Sequence, residues 1–198
     1  MSPSENARPP ERIVHPAVVL RRLRPADAPA LHEAAVASHD ELHRWMPWAT
    51  DPPAESAQVE FAATSHREWD EGASFVYLMF DPADAAGERP IGTVGLHARI
   101  GPGALEIGYW VHSARTGRGL ATTGAGLLTA AAFRLAGVER VEIHCDRANR
   151  ASAAVPRKLG FRHQRTEDHA PEAPAETGRR EIWVLDRAGL AAAPAAAY

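Results

Sequence analysis

Apolar positions along the chain alternate between a period of two and the 3.6-residue helical spacing, and the switches divide it into elements. Val18-Val19-Leu20-Arg21-Arg22-Leu23 suits a first strand. Pro25-Ala26-Asp27 starts a helix that carries Leu31, Ala34, Ala35 and Val36, with Asp27 as its cap. A shorter helical stretch ends near Leu42-His43-Arg44-Trp45-Met46, where Pro47 limits it. Pro53 to Gly72 reads as a further helix, with Val59, Ala62, Ala63 and Trp69 on one face and Gly72 ending it.

The middle of the chain is strand-like. Phe75 to Phe80 is a β-prone apolar run, Asp81 to Arg89 a turn-rich loop and Ile91 to His97 a second strand. Gly101-Pro102-Gly103 turns the chain into a third strand, Ala104 to Val111. Short connections make this an antiparallel meander. Next comes a helix with Leu120, Leu127, Leu128, Ala131 and Leu135 on one face and Gly137 at its C-cap. Val141 to Cys145 reads as a strand, and Asn149 to Leu159 as a short helix closed by Gly160. Phe161 and Ile182 to Leu185 supply the last strands, joined by a mobile-looking loop, Pro171 to Thr177. A helix-rich start, a meander and a β-α-β-α-β close predict a mixed α+β sheet, not a doubly wound parallel one.

Composition adds bounds. With 198 residues and 45% hydrophobic content, a single domain, residues 15–187, is expected. Residues 1–14, polar and proline-containing, and the Ala-rich tail 188–198 read as mobile. No apolar run approaches the roughly 20 residues that span a membrane, and the N-terminus lacks a secretory apolar core. A net charge of −3 offers no bulk case for nucleic acid. The single cysteine, Cys145, makes no internal disulfide and suits a reducing cytoplasm. The ten histidines show no ligand spacing, so no metal is expected.

The densest chemistry lies at Gly108 to Thr122, where a strand ends in a basic, glycine-containing turn that opens into a helix. Such a turn aims backbone N–H groups at one spot, at the positive end of a helix dipole. Gly117-Arg118-Gly119 has no triphosphate-loop lysine, and Thr122 stands where a dinucleotide fingerprint needs its third glycine. What is left is simple phosphate capture, with Arg115 and Arg118 adding charge, or an ordinary turn with solvated arginines.

Three motifs occur in order: Glu106-Ile107-Gly108-Tyr109-Trp110-Val111, the turn Arg115 to Thr122, and Asn149-x-x-Ser152 followed by Lys158-Leu159-Gly160-Phe161. Together they resemble the GNAT N-acetyltransferase superfamily. More narrowly they resemble its RimJ/RimL-type branch, which acetylates protein N-termini and assorted small amines. The resemblance covers about residues 18–187. It implies a mostly antiparallel sheet of six to seven strands with one parallel, splayed pair, flanked by about four helices. It also implies acetyl-CoA as co-substrate. The backbone of Gly117, Arg118, Gly119, Leu120, Ala121 and Thr122, with Arg115, would cradle the pyrophosphate. Trp110 and Val111 would flank the pantetheine arm, with Asn149 on its other side. Two positions depart from the family pattern. Ala114 replaces the usual first Arg or Gln of the turn. Pro156 stands where many members carry a tyrosine that protonates the leaving thiolate, so Ser152 is the alternative.

Acyl transfer to an amine needs a base, alignment of the reactants and a donor for the developing oxyanion. Glu106 is the first candidate base, because it lies in an otherwise apolar strand, with Leu105, Ile107, Tyr109 and Val111 on the opposite face, where a carboxylate is costly unless wet or paired. It reads equally as a solvated glutamate or an arginine partner. Its rivals are Glu167, Asp168 and Glu172. Ser152 is either a sulfur hydrogen-bond donor or an ordinary first-turn serine. Pro156 removes the helical partner of the Ser152 carbonyl, which predicts a kink nearby. Trp45 and Trp48 are candidate acceptor-side aromatics or core residues, while Trp69 reads as core. His112 and His144 flank the expected cleft in structural roles.

The resulting expectation is a cytoplasmic N-acetyltransferase acting on a protein N-terminus or a small amine, without nucleic acid or membrane partners. A homodimer stays open. The alternatives are a non-catalytic acyl-CoA-binding module, a transferase of another acyl group such as succinyl, and a plain interaction domain.

Overall fold

The computed structural model describes residues 8–84 and 88–198. Residues 1–7 of the expected mobile segment, and 85–87 of the Asp81–Arg89 loop, lie outside the described residues. In chain order the elements are β1 (Arg12–His15), β2 (Val18–Arg22), α1 (Ala28–Val36), α2 (His39–Trp45), α3 (Glu55–Glu71), β3 (Ser74–Phe80), β4 (Pro90–His97) and β5 (Ala104–Val111). They continue with α4 (Leu120–Ala132), β6 (Arg140–Asp146), α5 (Arg150–Leu159), β7 (Arg162–Asp168), β8 (Arg179–Asp186) and α6 (Arg187–Leu190).

Among the described residues eight strands form one sheet in the order β1-β2-β3-β4-β5-β6-β8-β7, one more than the upper sequence estimate. Six α-helices rather than four accompany it among the described residues. All neighbouring strands are antiparallel except β5 and β6. That parallel pair joins only through Ala104–Arg140, Leu105–Val141 and Glu106–Glu142, and then splays. Period two decides which side chains meet which layer. Leu105 and Ile107 enter a core with Leu120, Leu127 and Leu128 of α4 and Leu159 of α5. Val76, Leu78, Phe80 and Trp110 enter a second core with Leu31, Leu42 and Ala62 of α1, α2 and α3. Strand β3 is buried throughout because both its faces are covered.

Several sequence expectations need correction. Residues 12–14 of the expected mobile segment belong, with His15, to a strand, because a two-residue turn at Pro16-Ala17 closes a hairpin with β2. The tail is packed: Ala195 is fully buried, and the Tyr198 ring occupies the space a Cβ on Gly126 would need. Its small side chains let the backbone lie close against α4 and α5. The buried stripe of α3 is Gln58, Ala62, Ser65 and Trp69, while Val59 is 50% exposed. Helix α4 stops at Ala132, so Gly137 belongs to the following turn and not to its cap. Helix α5 runs continuously through Pro156. The 171–177 loop is tied down: the Ala175 N–H donates to the Arg44 carbonyl, and Glu176 Oε2 accepts from the N–H groups of Glu172 and Ala173.

Candidate active site

Where β5 and β6 separate, a cleft of about 790 Å³ opens. Glu106, Trp110, Asn149, Ser152, Trp45 and Trp48 all line it, so six of the residues singled out in the sequence converge. The cleft passes through the sheet. His144 and Glu106 reach it from one face of the splayed pair, Tyr109 and Cys145 from the other.

Glu106 is an arginine partner inside the cleft. Arg99 grips it with two hydrogen bonds, Nε to Oε2 at 2.8 Å and a terminal nitrogen to Oε1 at 2.7 Å. Burial raises the Glu106 pKa, but the Arg99 hydrogen bonds and charge, with His144 and His97, outweigh it and hold the carboxyl below its ordinary value. His97 stands opposite Glu106 in the β4–β5 register. Burial, then the charge of Arg99, pushes His97 down to about 4. Its ring lies against Gly95 and Gly108, where added Cβ atoms would come within 3.0 and 3.5 Å. Of the three rival acids only Glu172 reaches the cleft. Glu167 pairs with Arg165, and Asp168 pairs with Arg179 at the surface.

On the α5 side, the Asn149 side chain caps the helix by accepting from the Ser152 N–H at 3.0 Å. The Tyr109 hydroxyl donates to the Ser152 carbonyl at 3.1 Å and lies 3.0 Å from Ser152 Oγ. This carbonyl is the one that Pro156 deprives of its helical donor. Tyr109 supplies the missing hydrogen bond from β5, which explains why the helix stays whole. Burial holds the Tyr109 phenol well above its usual range, so it remains a neutral donor. Burial, with Glu181 adding to it, pushes the Cys145 thiol up to about 12, which keeps it protonated and poorly nucleophilic.

The glycine turn sits beyond the end of β5, outside the lining of the main cleft. Its start is anchored: Ser113 N–H donates to Ser38 Oγ at 3.1 Å, and Arg115 pairs with Asp81 at 3.4 Å. Gly117 and Gly119 take φ of 75° and 76°, and an added Cβ would meet nothing within 4 Å at either. Among the described residues, none accepts from the N–H groups of Leu120, Ala121 and Thr122. Open space beside free amides at a helix N-terminus fits a phosphate group. Val111 leads into this turn from the strand end.

A model of the acetyltransferase (GNAT) domain matches residues 17–162. The chain belongs to the GNAT acetyltransferase family. It is 28% identical over 151 residues to YdaF of Bacillus subtilis (strain 168), provisionally named a ribosomal N-acetyltransferase; the match covers 73% of this chain and 77% of YdaF. In fold it is similar to RimL, the ribosomal L7/L12 alpha-N-protein acetyltransferase, solved with coenzyme A. The TM-score is 0.78 at 22% identity, over 89% of this chain and 98% of RimL. Mycobacterium smegmatis RimJ, solved with a CoA disulfide, aligns with a TM-score of 0.78 at 22% identity, over 90% of this chain and 86% of RimJ. The α+β GNAT fold and the RimJ/RimL-type likeness expected from the motifs are thereby shown.

Sequence reasoning missed Arg99, His97, Tyr109 and Glu176 as cleft residues. His97 was within reach: the Gly101-Pro102-Gly103 turn sets a register that brings it opposite Glu106. Arg99 lies in the connection after β4, where no periodicity applies.

Proposed function

We propose that this protein transfers the acetyl group of acetyl-CoA to a primary amine, and that a protein N-terminus is its acceptor. The observation that carries the reading is the loss of β5–β6 pairing after Glu106, which opens a through-sheet cleft between Glu106 and Ser152. The amides of Gly117 to Thr122, with Arg115 and Arg118, hold the diphosphate. Trp110, Val111 and Asn149 flank the pantetheine arm. Trp45 and Trp48 border the acceptor side, where Trp48 tilts against Trp110 at 6.4 Å between centroids. Glu106, ionised and fixed by Arg99, draws the proton from the amine through water as the nitrogen attacks the thioester carbonyl. The Ser152 hydroxyl donates to the departing sulfur. The names of YdaF and RimL support ribosomal proteins as the first acceptors to test. The buried lone thiol suits a cytoplasmic setting.

The test is an acceptor screen read as free CoA, comparing peptides with free N-termini against small amines, with succinyl-CoA as a second donor. Transfer to peptides is expected. CoA binding without release with any amine marks a binding module instead. Glu106→Gln is expected to lower kcat at least about tenfold with little change in acetyl-CoA affinity. Unchanged turnover moves the base elsewhere.

A further inference from the structure

A second cavity, of about 380 Å³, adjoins β6, lined among others by Arg140, Glu142, His144, Arg165 and Glu167. His144 lines both cavities, and none of the other described lining residues does. Its Nδ1 lies 3.9 Å from Glu106 Oε2, and its Nε2 lies 2.7 Å from Glu142 Oε2. Glu106 and Glu142 are the last register partners before the strands separate. The imidazole therefore stands between the two carboxylates at the root of the splay. The second oxygen of Glu142 accepts from Arg140 Nε at 2.7 Å.

These contacts set the tautomer. Burial raises the Glu142 pKa, but the hydrogen bonds from Arg140 and His144 outweigh it, so the carboxyl stays ionised. An ionised carboxylate only accepts, so Nε2 carries the hydrogen and Nδ1 presents its lone pair toward Glu106 and the cleft. Glu106, doubly bonded to Arg99, is a poor place for a proton to stay.

We propose that His144, oriented by Glu142, completes a proton relay that takes up the acceptor amine's proton, by way of water at Glu106, within the main cleft. This rests on the acetyl-transfer reading above. The amine nitrogen forms its bond to the acetyl carbon as the carbon–sulfur bond breaks, and it gives up one proton. The proton passes by way of water at Glu106 to His144 Nδ1. The imidazolium stands between the carboxylates of Glu106 and Glu142, with Nε2–H held on Glu142. Between turnovers the ring returns its Nδ1 proton to cleft water, and Nε2–H stays on Glu142 throughout. The thiolate takes its own proton from solvent on the Ser152 side, so solvent gains one proton and loses one.

The experiment compares wild type, His144→Ala and Glu142→Gln in the full chain, with acetyl-CoA and an N-terminal peptide amine. Calorimetry against CoA and denaturant unfolding accompany the kinetics. For His144→Ala, kcat is expected to fall about 100-fold. Acetyl-CoA affinity should stay within about twofold, and added imidazole should restore part of the rate. Glu142→Gln should lower kcat about tenfold at unchanged KM, because it orients the ring without touching the acceptor. Unchanged kcat in His144→Ala overturns the relay, as does a loss that imidazole does not restore. A wild type that binds CoA but transfers nothing defeats the acetyl-transfer reading itself and the relay with it. An active wild type with an indifferent His144→Ala defeats the relay alone.

Discussion

At the scale of single residues, Pro156 and Tyr109 form a matched pair. The proline removes the hydrogen bond that the Ser152 carbonyl would accept within α5, and the Tyr109 hydroxyl replaces it from a strand 43 residues earlier. Tyr109→Phe is expected to destabilise the protein by about 1–3 kcal/mol, since it leaves a carbonyl near the cleft unsatisfied. Urea unfolding checks the stability. Equal stability would mean that water serves the carbonyl as well as the phenol does. The consequence of Pro156 was legible from its spacing to Ser152. Its remedy was not, because a hydroxyl donor from another element leaves no local pattern. Glu106 shows the same division. Its oddness within an apolar strand is plain in the sequence, but the arginine that holds it comes from a connection.

At the scale of elements, β2 to β6 and β8 follow periodicity, while β1 and the exposed, polar β7 carry no apolar alternation, and the buried face of α3 differs from the one expected. The 171–177 segment reads as mobile by composition, with two prolines and few apolar residues. It is held by Asp146 at the end of β6. That carboxylate accepts from Ala148 N–H, from Thr177 N–H and hydroxyl, and from Arg179 N–H, at 2.8 to 3.2 Å. Burial raises the Asp146 pKa, but these donors prevail and hold it below its ordinary value. Asp146→Asn should loosen the loop that carries Glu172 and Glu176 into the cleft. The expected signs are faster amide exchange across 170–178 and a local loss of about 1–3 kcal/mol. Exchange unchanged in that segment would show that the Ala175–Arg44 bond alone suffices.

At the scale of the whole molecule, two cores sandwich one sheet, and acid should unfold it in two stages. His97 is held neutral down to about 4, against an ordinary value of 6.5. The unfolded chain therefore binds a proton that the folded one refuses, and stability falls as pH drops from about 6.5 to about 4. Glu106, Glu142 and Asp146 are held low in the fold, so their contribution is present above the ordinary carboxylate range. It is lost as pH falls through their lowered values. Denaturant midpoints measured across pH 7 to 4 test the first stage, and His97→Gln should flatten it. A slope that this variant leaves unchanged would assign the loss to other groups.

The order of strands and helices from β2 to β8, the strand face on which Glu106 stands, the glycine turn at the head of α4 and the family likeness were all determined by the sequence. Each is written in spacing over a few residues, where periodicity and turn chemistry act. Only the tertiary structure decided how far β5 and β6 stay paired, which arginine locks Glu106, which hydroxyl serves the Ser152 carbonyl and that His144 joins two cavities. Those outcomes depend on side chains from distant segments meeting at one point. Burial and charge act there through space, and no local pattern of residues records the meeting.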